Sequence, residues 1–184
     1  DGGGVKRINM NTSAGCVRYG YDARKRLSGV NIQCSGGSDV MSFGYRADDT
    51  LSSVVDQVGT RTIGYTVDRN VSYVEGDYNI AGVVPLQRVE YGYNPDGSID
   101  FILWKSGGVQ VARWDYGYDL SGNVISVNNS FGESVSYEYD GENKVVKETR
   151  SNGTEVRTSY NETRDWTTSY RHLSGGTEFS RYDL

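Results

Sequence analysis

Eight tyrosines recur at near-regular intervals along the 184 residues, each in the same short cassette, and this repeat constrains the fold more than any other property of the chain. The anchors are Tyr21, Tyr45, Tyr65, Tyr93, Tyr118, Tyr139, Tyr160 and Tyr182; their intervals are 24, 20, 28, 25, 21, 21 and 22 residues, with a mean of 23. Such a period suits an array in which every unit presents the same side chain to its neighbour. Tyr19-Gly20-Tyr21, Tyr91-Gly92-Tyr93, Tyr116-Gly117-Tyr118 and Tyr137-Glu138-Tyr139 alternate with period two, placing both rings on one face of a strand. Asp22, Asn94, Asp119, Asp140 and Asn161 follow the anchors, where a short carboxylate or amide bonds the backbone two residues on and starts a turn. Gly97, Gly122 and Gly153 suit positive φ. Return strands follow, as in Asn123 to Val127 and Lys144 to Thr149. Links such as Ser35-Gly36-Gly37, Ser106-Gly107-Gly108 and Ser174-Gly175-Gly176 lead to the next cassette.

The reading is therefore all-β: about eight antiparallel hairpins in a single array over residues 1–184. A lone hairpin is marginal in water, so each must lie against its neighbours, and stacked tyrosines add about 0.5–1.5 kcal/mol per contact beyond area burial. Sixteen strands at about 4.8 Å give a contour of roughly 77 Å, which predicts a curling ribbon or tube rather than a flat sheet. Composition agrees, since 36% of the chain is hydrophobic, 15 residues are tyrosine and 24 are glycine against 2 prolines. A net charge of −5 with no basic block argues against a nucleic-acid partner. No apolar run approaches the ~18 residues of a membrane span, and no leader opens the chain.

The ends carry a further expectation. Tyr182-Asp183-Leu184 followed by Asp1-Gly2 restores the Y-D-x-x-G order of Tyr118-Asp119-Leu120-Ser121-Gly122, and the anchor interval across that join is 23, equal to the mean. This predicts units that continue one another head to tail, so the preferred partner is another copy of the chain. The pattern Y-x-Y-D-x-x-G-[RN]-[LV], clearest in Arg18 to Leu27 and in Tyr116 to Val124, resembles the YD repeat of the RHS (rearrangement-hotspot) and teneurin-type proteins. That resemblance implies a spiral strip of β-hairpins which, in the family, closes into large hollow shells on secreted or surface proteins. Arg24 stands where a glycine is usual, and the cassettes at Tyr45 and Tyr65 lack the Asp after the anchor, which predicts wider or less regular turns there. Neither an autoproteolytic core region nor a toxin segment of the kind shell-forming members carry is recognisable.

Nothing in the chain points to catalysis. A general acid and base need two carboxylates in different environments, whereas these cassettes repeat one environment. His172 is the only histidine and reads as a surface strand residue; P-loop, HExxH, GxSxG and CxxC patterns are missing. No cofactor or metal is expected: Asp48-Asp49 and Asp96 to Asp100 do not match a calcium loop and read as solvated turns.

Cys16 and Cys34 flank the first hairpin symmetrically about residue 25, which places them across from each other as a disulfide in an extracellular chain or as two free thiols otherwise. Five sequons begin at Asn11, Asn70, Asn128, Asn152 and Asn161, where about two arise by chance. They are either glycan acceptors on the outside of the ribbon or a by-product of serine- and threonine-rich turns. The sequence supports first a structural extracellular protein, the repeating unit of a head-to-tail fibre or tube. The alternatives are a fragment of an RHS-type shell that encloses a toxin or belongs to an adhesion receptor, and a carbohydrate-binding module using Trp104, Trp114 and Trp166.

Overall fold

The computed structural model describes residues 6–8, 17–32, 39–78, 85–161, 163 and 166–184. Among them are sixteen strands. In chain order these are β1 (Lys6–Ile8), β2 (Val17–Tyr21), β3 (Leu27–Asn31), β4 (Met41–Tyr45), β5 (Leu51–Asp56), β6 (Gly59–Tyr65), β7 (Val71–Tyr78) and β8 (Gln87–Tyr93). They continue with β9 (Ile99–Ser106), β10 (Val109–Tyr118), β11 (Val124–Asn129), β12 (Ser134–Tyr139), β13 (Val145–Arg150), β14 (Thr154–Tyr160), β15 (Thr167–Ser174) and β16 (Thr177–Asp183). Sheet order follows sequence order from β1 to β16, so the chain is a meander of hairpins with β1 and β16 as its edge strands. Seven of the anchors close a hairpin, from β2–β3 to β14–β15. Of the expected eighth, Tyr182 lies in β16, the last strand described.

The strands divide between two compact units, one comprising Asp1–Glu90 with Lys105–Val109 and the other Tyr91–Trp104 with Gln110–Leu184. In the first, β1 to β7 pair successively antiparallel. In the second, β10 to β16 do the same. Each unit offers a sheet with two faces and little to lay over either. Leu103, Ala112 and Leu173 are the buried apolar residues described, and no large side chain described is fully buried. Stability therefore has to come from contacts between neighbouring strands.

The turns explain why the cassette needs its residues in that order. In the first, Asp22 N donates to Arg26 O and Lys25 N to Asp22 O, both at 2.9 Å, closing a three-residue loop. Lys25, at φ 65°, takes the left-handed position. The glycine equivalents are Gly97 (88°) and Gly122 (85°), so the first cassette departs from the pattern at Lys25 rather than at Arg24. The cassettes at Tyr45 and Tyr65 make the same loop. Arg46 N reaches Thr50 O at 2.9 Å and Asp49 N reaches Arg46 O at 3.2 Å; Thr66 N reaches Asn70 O at 2.8 Å and Arg69 N reaches Thr66 O at 3.2 Å. Their turns are thus neither wider nor irregular. Backbone geometry selects the loop, and other side chains replace the missing Asp: Asp48 Oδ1 accepts from Thr50 Oγ1 at 2.7 Å, and Thr66 Oγ1 accepts from Asn70 N at 3.2 Å.

Beyond each turn the ladder slips by one residue. Tyr21 faces Leu27 while Gly20 faces Gly29, and the same step occurs at Tyr45, Tyr65, Tyr118, Tyr139 and Tyr160. A bulge of this kind raises local twist. Gly107-Gly108 and Gly175-Gly176, all at positive φ, make two-residue reversals into β10 and β16.

Candidate functional site

The candidate functional element is the repeated contact between one hairpin and the next. Its centre is the anchor hydroxyl. Tyr45 Oη donates to Leu27 O at 2.8 Å and Tyr65 Oη to Leu51 O at 2.7 Å. In the second unit Tyr118 Oη donates to Ile99 O at 2.9 Å, Tyr139 Oη to Val124 O at 2.7 Å and Tyr160 Oη to Val145 O at 3.0 Å. Each acceptor is the first residue of the preceding hairpin's return strand. Strand alternation aims the ring there, and the bulge beside the acceptor takes up the offset.

Cations from the preceding turn lie over several of these rings: Arg26 over Tyr45 at 4.5 Å, Arg46 over Tyr65 at 5.5 Å and Lys144 over Tyr160 at 5.5 Å from the centroid. Partial burial raises the hydroxyl pKa of Tyr93, Tyr118, Tyr139 and Tyr160. Tyr21 is half-buried, whereas Tyr182 on the edge strand is 59% exposed and meets His172 edge-on at 6.0 Å.

The acid after the anchor holds the turn. Asp22 Oδ1 accepts from Arg24 N and Arg26 N, Asp119 Oδ1 from Ser121 N and Asn123 N, and Asp140 Oδ1 from Glu142 N and Lys144 N, all at 2.9 Å. These bonds lower the three carboxyl pKa values, helped at Asp22 foremost by Arg26 and at Asp119 foremost by the Asn123 amide. Neighbouring turns are tied as well. Arg26 Nη1 reaches Asp49 at 2.6 Å, and Asn123 Nδ2 reaches Asn143 Oδ1 at 2.8 Å.

In two cassettes the glycine before the anchor has its own role on the opposite face. A Cβ on Gly64 would lie 2.0 Å from Cε1 of Tyr73, and one on Gly92 would lie 2.2 Å from Cε1 of Phe101. The glycines are seats for aromatic rings. Arg88 covers Tyr73 at 3.8 Å and is held between Glu75 and Glu90, while Arg113 covers Phe101 at 3.9 Å and pairs with Asp115. Neither the hydroxyl-to-carbonyl bond nor this stack is among the sequence expectations. A glycine immediately before the anchor, opposite an aromatic in the return strand, is the signal that could have found the stack.

Other predicted residues scatter. Cys16, Cys34 and Asn11 lie outside the described residues. Asn70 and Asn161 are half-buried, whereas Asn128 and Asn152 are exposed. Asn152 Oδ1 accepts from Thr154 N at 3.0 Å and Thr154 Oγ1 at 2.7 Å, and Asn161 Oδ1 accepts from Thr163 N at 2.9 Å. Trp104 sits in β9, Trp114 in β10 and Trp166 before β15, so they form no common platform on a single strand. Among the described residues no cluster of histidine, cysteine, Asp and Glu could hold a metal ion. Asp48 and Asp96 bond Thr50 and Ser98 within their own turns, and Asp49 pairs with Arg24 and Arg26. No described helix is long and apolar enough to cross a membrane.

Comparison with known proteins agrees with this architecture. Residues 118–155, from the end of β10 to the start of β14, match the family model described as RHS Repeat, so the chain carries an RHS repeat. A search of curated proteins returned no match. Among solved structures, the TcdB2-TccC3 crystal structure matches 97% of this chain with a TM-score of 0.53 at 13% identity. The Tc holotoxin pore of Photorhabdus luminescens matches 92% with a TM-score of 0.55 at 13% identity, and the TcdB2-TccC3-Cdc42 structure 92% with a TM-score of 0.53 at 14% identity. At such identities the likeness is one of fold. The chain spans 12–13% of the length of those chains.

Proposed function

We propose that this chain is a structural segment of an RHS/YD-type shell, a stretch of wall built from interlocked hairpins in a secreted or cell-surface protein, without catalytic activity of its own. One observation carries the reading: the anchor hydroxyl bonds the preceding hairpin's first return-strand carbonyl in the same way at Tyr45, Tyr65, Tyr118, Tyr139 and Tyr160. Such a contact adds one hairpin to another without limit, which is what a wall needs. The fold likeness to Tc toxin components supports it, because the chain matches only a small part of each. Its partners on this reading are further hairpins on both sides of the sheet and whatever polypeptide the wall surrounds.

A head-to-tail fibre is the second reading. Sixteen strands are an even number, so β1 of a following copy would meet β16 antiparallel and keep the alternation of the meander. Both readings place the chain outside the cell, where glycans at the exposed Asn128 and Asn152 would be accommodated. Electron microscopy of the native, full-length protein separates them: closed hollow particles support the shell, and filaments with a repeat of sixteen strands replace it with the fibre. Compact particles without a lumen would refute both.

A further inference from the structure

Asn152-Gly153 is the one Asn-Gly pair in the chain, and every other asparagine precedes a residue that carries a side chain. With no Cβ in the way, a glycine amide nitrogen can reach the carbonyl carbon of the side chain before it. The pair lies at the tip of the β13–β14 hairpin, where both residues are exposed. Gly153 is at φ 81°, and a Cβ there would meet no atom within 4 Å. Two sets of bonds close this turn: Gly153 N donates to Arg150 O at 2.9 Å, and Asn152 Oδ1 accepts from Thr154 N at 3.0 Å and Thr154 Oγ1 at 2.7 Å.

The β8–β9 turn has the same construction with an acid in place of the amide. Gly97, at φ 88°, donates to Asn94 O at 2.9 Å, and Asp96 Oδ1 accepts from Ser98 N at 2.9 Å and Ser98 Oγ at 2.6 Å. These bonds, that of the Ser98 hydroxyl foremost, hold the Asp96 carboxyl below its ordinary pKa. A charged acceptor makes stronger bonds than a neutral one. An aspartate at position 152 would therefore meet Thr154 as Asp96 meets Ser98.

We propose that Asn152 is a site of spontaneous covalent modification by deamidation, and that its aspartate product gives the β13–β14 turn the acidic form already present at Asp96. Gly153 N bonds to Asn152 Cγ as the Cγ–Nδ2 bond breaks, and the proton lost by the glycine amide departs with Nδ2 as ammonia. The cyclic imide then takes up water at either carbonyl. Opening at one restores the main chain with an aspartate side chain; opening at the other leaves an isoaspartate, with an extra carbon in the main chain. The closed turn restrains the first step, because Gly153 N–H and Asn152 Oδ1 are both engaged, so reaction follows local opening. Aspartate fits when the turn closes again. Isoaspartate displaces Gly153, whose carbonyl accepts from Gly175 N of the neighbouring turn at 3.3 Å. Either product removes Asn152 as a glycan acceptor.

The test uses the full chain, produced without glycosylation and incubated in mildly alkaline buffer. Peptide mass spectrometry locates deamidation by a gain of about 1 Da, and labelling by isoaspartyl methyltransferase reports isoaspartate. Asn152 should convert roughly tenfold faster than any other asparagine, and faster again in denaturant. Thr154→Val removes the hydroxyl donor and should speed conversion about fivefold by easing the opening of the turn. Asn152→Asp is the product standard and should melt at the wild-type temperature or above it. Earlier conversion of another asparagine, an Asn152 that stays intact while the denatured chain converts, a Thr154→Val variant that reacts no faster, or an Asn152→Asp variant that melts below the wild type would each overturn the proposal.

Discussion

Replacing Tyr139 by phenylalanine isolates the contact on which the hairpin array depends. The ring stays, and only the 2.7 Å bond from its hydroxyl to Val124 O is removed. A net intramolecular hydrogen bond contributes about 0.5–1.5 kcal/mol, and the half-buried surroundings leave the abandoned carbonyl some access to water, so about 1 kcal/mol is expected. In an array whose units contact only their neighbours, that loss stays local. Native-state hydrogen exchange in the full chain is therefore the assay, because it reports opening segment by segment. Amides of β11 to β13 should exchange about fivefold faster in the Tyr139→Phe variant, from 1 kcal/mol at room temperature. Amides of β2 to β5 should be unchanged. Tyr137→Phe is the control: it lies two residues away in the same strand, its hydroxyl has no described hydrogen bond, and its exchange should match the wild type. Equal effects from the two variants, or none from Tyr139→Phe, would show that ring packing alone holds the hairpins together and would refute the reasoning.

Gly64→Ala forces a methyl to within 2.0 Å of the Tyr73 ring and should cost about 1–3 kcal/mol in denaturant unfolding, whereas Gly20→Ala meets Ser28 Oγ at 3.4 Å and the Gly29 backbone at 3.8 Å, ordinary contacts, and should be nearly neutral. Lys25→Gly relieves a left-handed residue at φ 65° and should stabilise the first hairpin by about 1 kcal/mol, read as slower exchange in β2 and β3. The lowered carboxyl pKa values of Asp22, Asp119 and Asp140 contribute stability above the ordinary carboxylate value of about 3.9, lost as pH falls through the folded-state values. An acid titration by circular dichroism should accordingly stay flat down to about pH 4 and fall below it. At the other extreme, Tyr93, Tyr118, Tyr139 and Tyr160 ionise above the usual tyrosine value of about 10, so the fold should weaken as pH rises past it, in step with phenolate absorbance.

Much of this architecture is legible in the residues because its signals are local. Period-two tyrosines, a turn-starting acid and a glycine three residues after it dictate strand, loop and return without reference to distant parts of the chain, and Gly97 and Gly122 sit at φ 88° and 85° as that chemistry requires. Irregular cassettes mislead for the same reason. Arg46 and Thr66 lack a carboxylate, yet the same loop forms: Asp48 supplies an acceptor from a different position, and the Thr66 hydroxyl supplies one from the usual position. What contacts what between hairpins is less legible. The bond from Tyr118 to Ile99 joins residues 19 apart, and its register depends on a bulge that no residue type announces.

A repeat without a thick core divides its side chains differently from a globular domain. Among the described residues Leu103, Ala112 and Leu173 are the buried apolar ones, so the described strands have little hydrophobic interior to rely on. Tyrosine meets that condition because one side chain supplies both apolar ring area and a hydroxyl that satisfies a neighbouring carbonyl. Phenylalanine would leave the carbonyl without its protein donor, and serine would supply no area. The requirement for both functions in each contact accounts for tyrosine rather than phenylalanine at Tyr45, Tyr65, Tyr118, Tyr139 and Tyr160. The anchor on the edge strand, Tyr182, is 59% exposed because β15 covers it from one side alone.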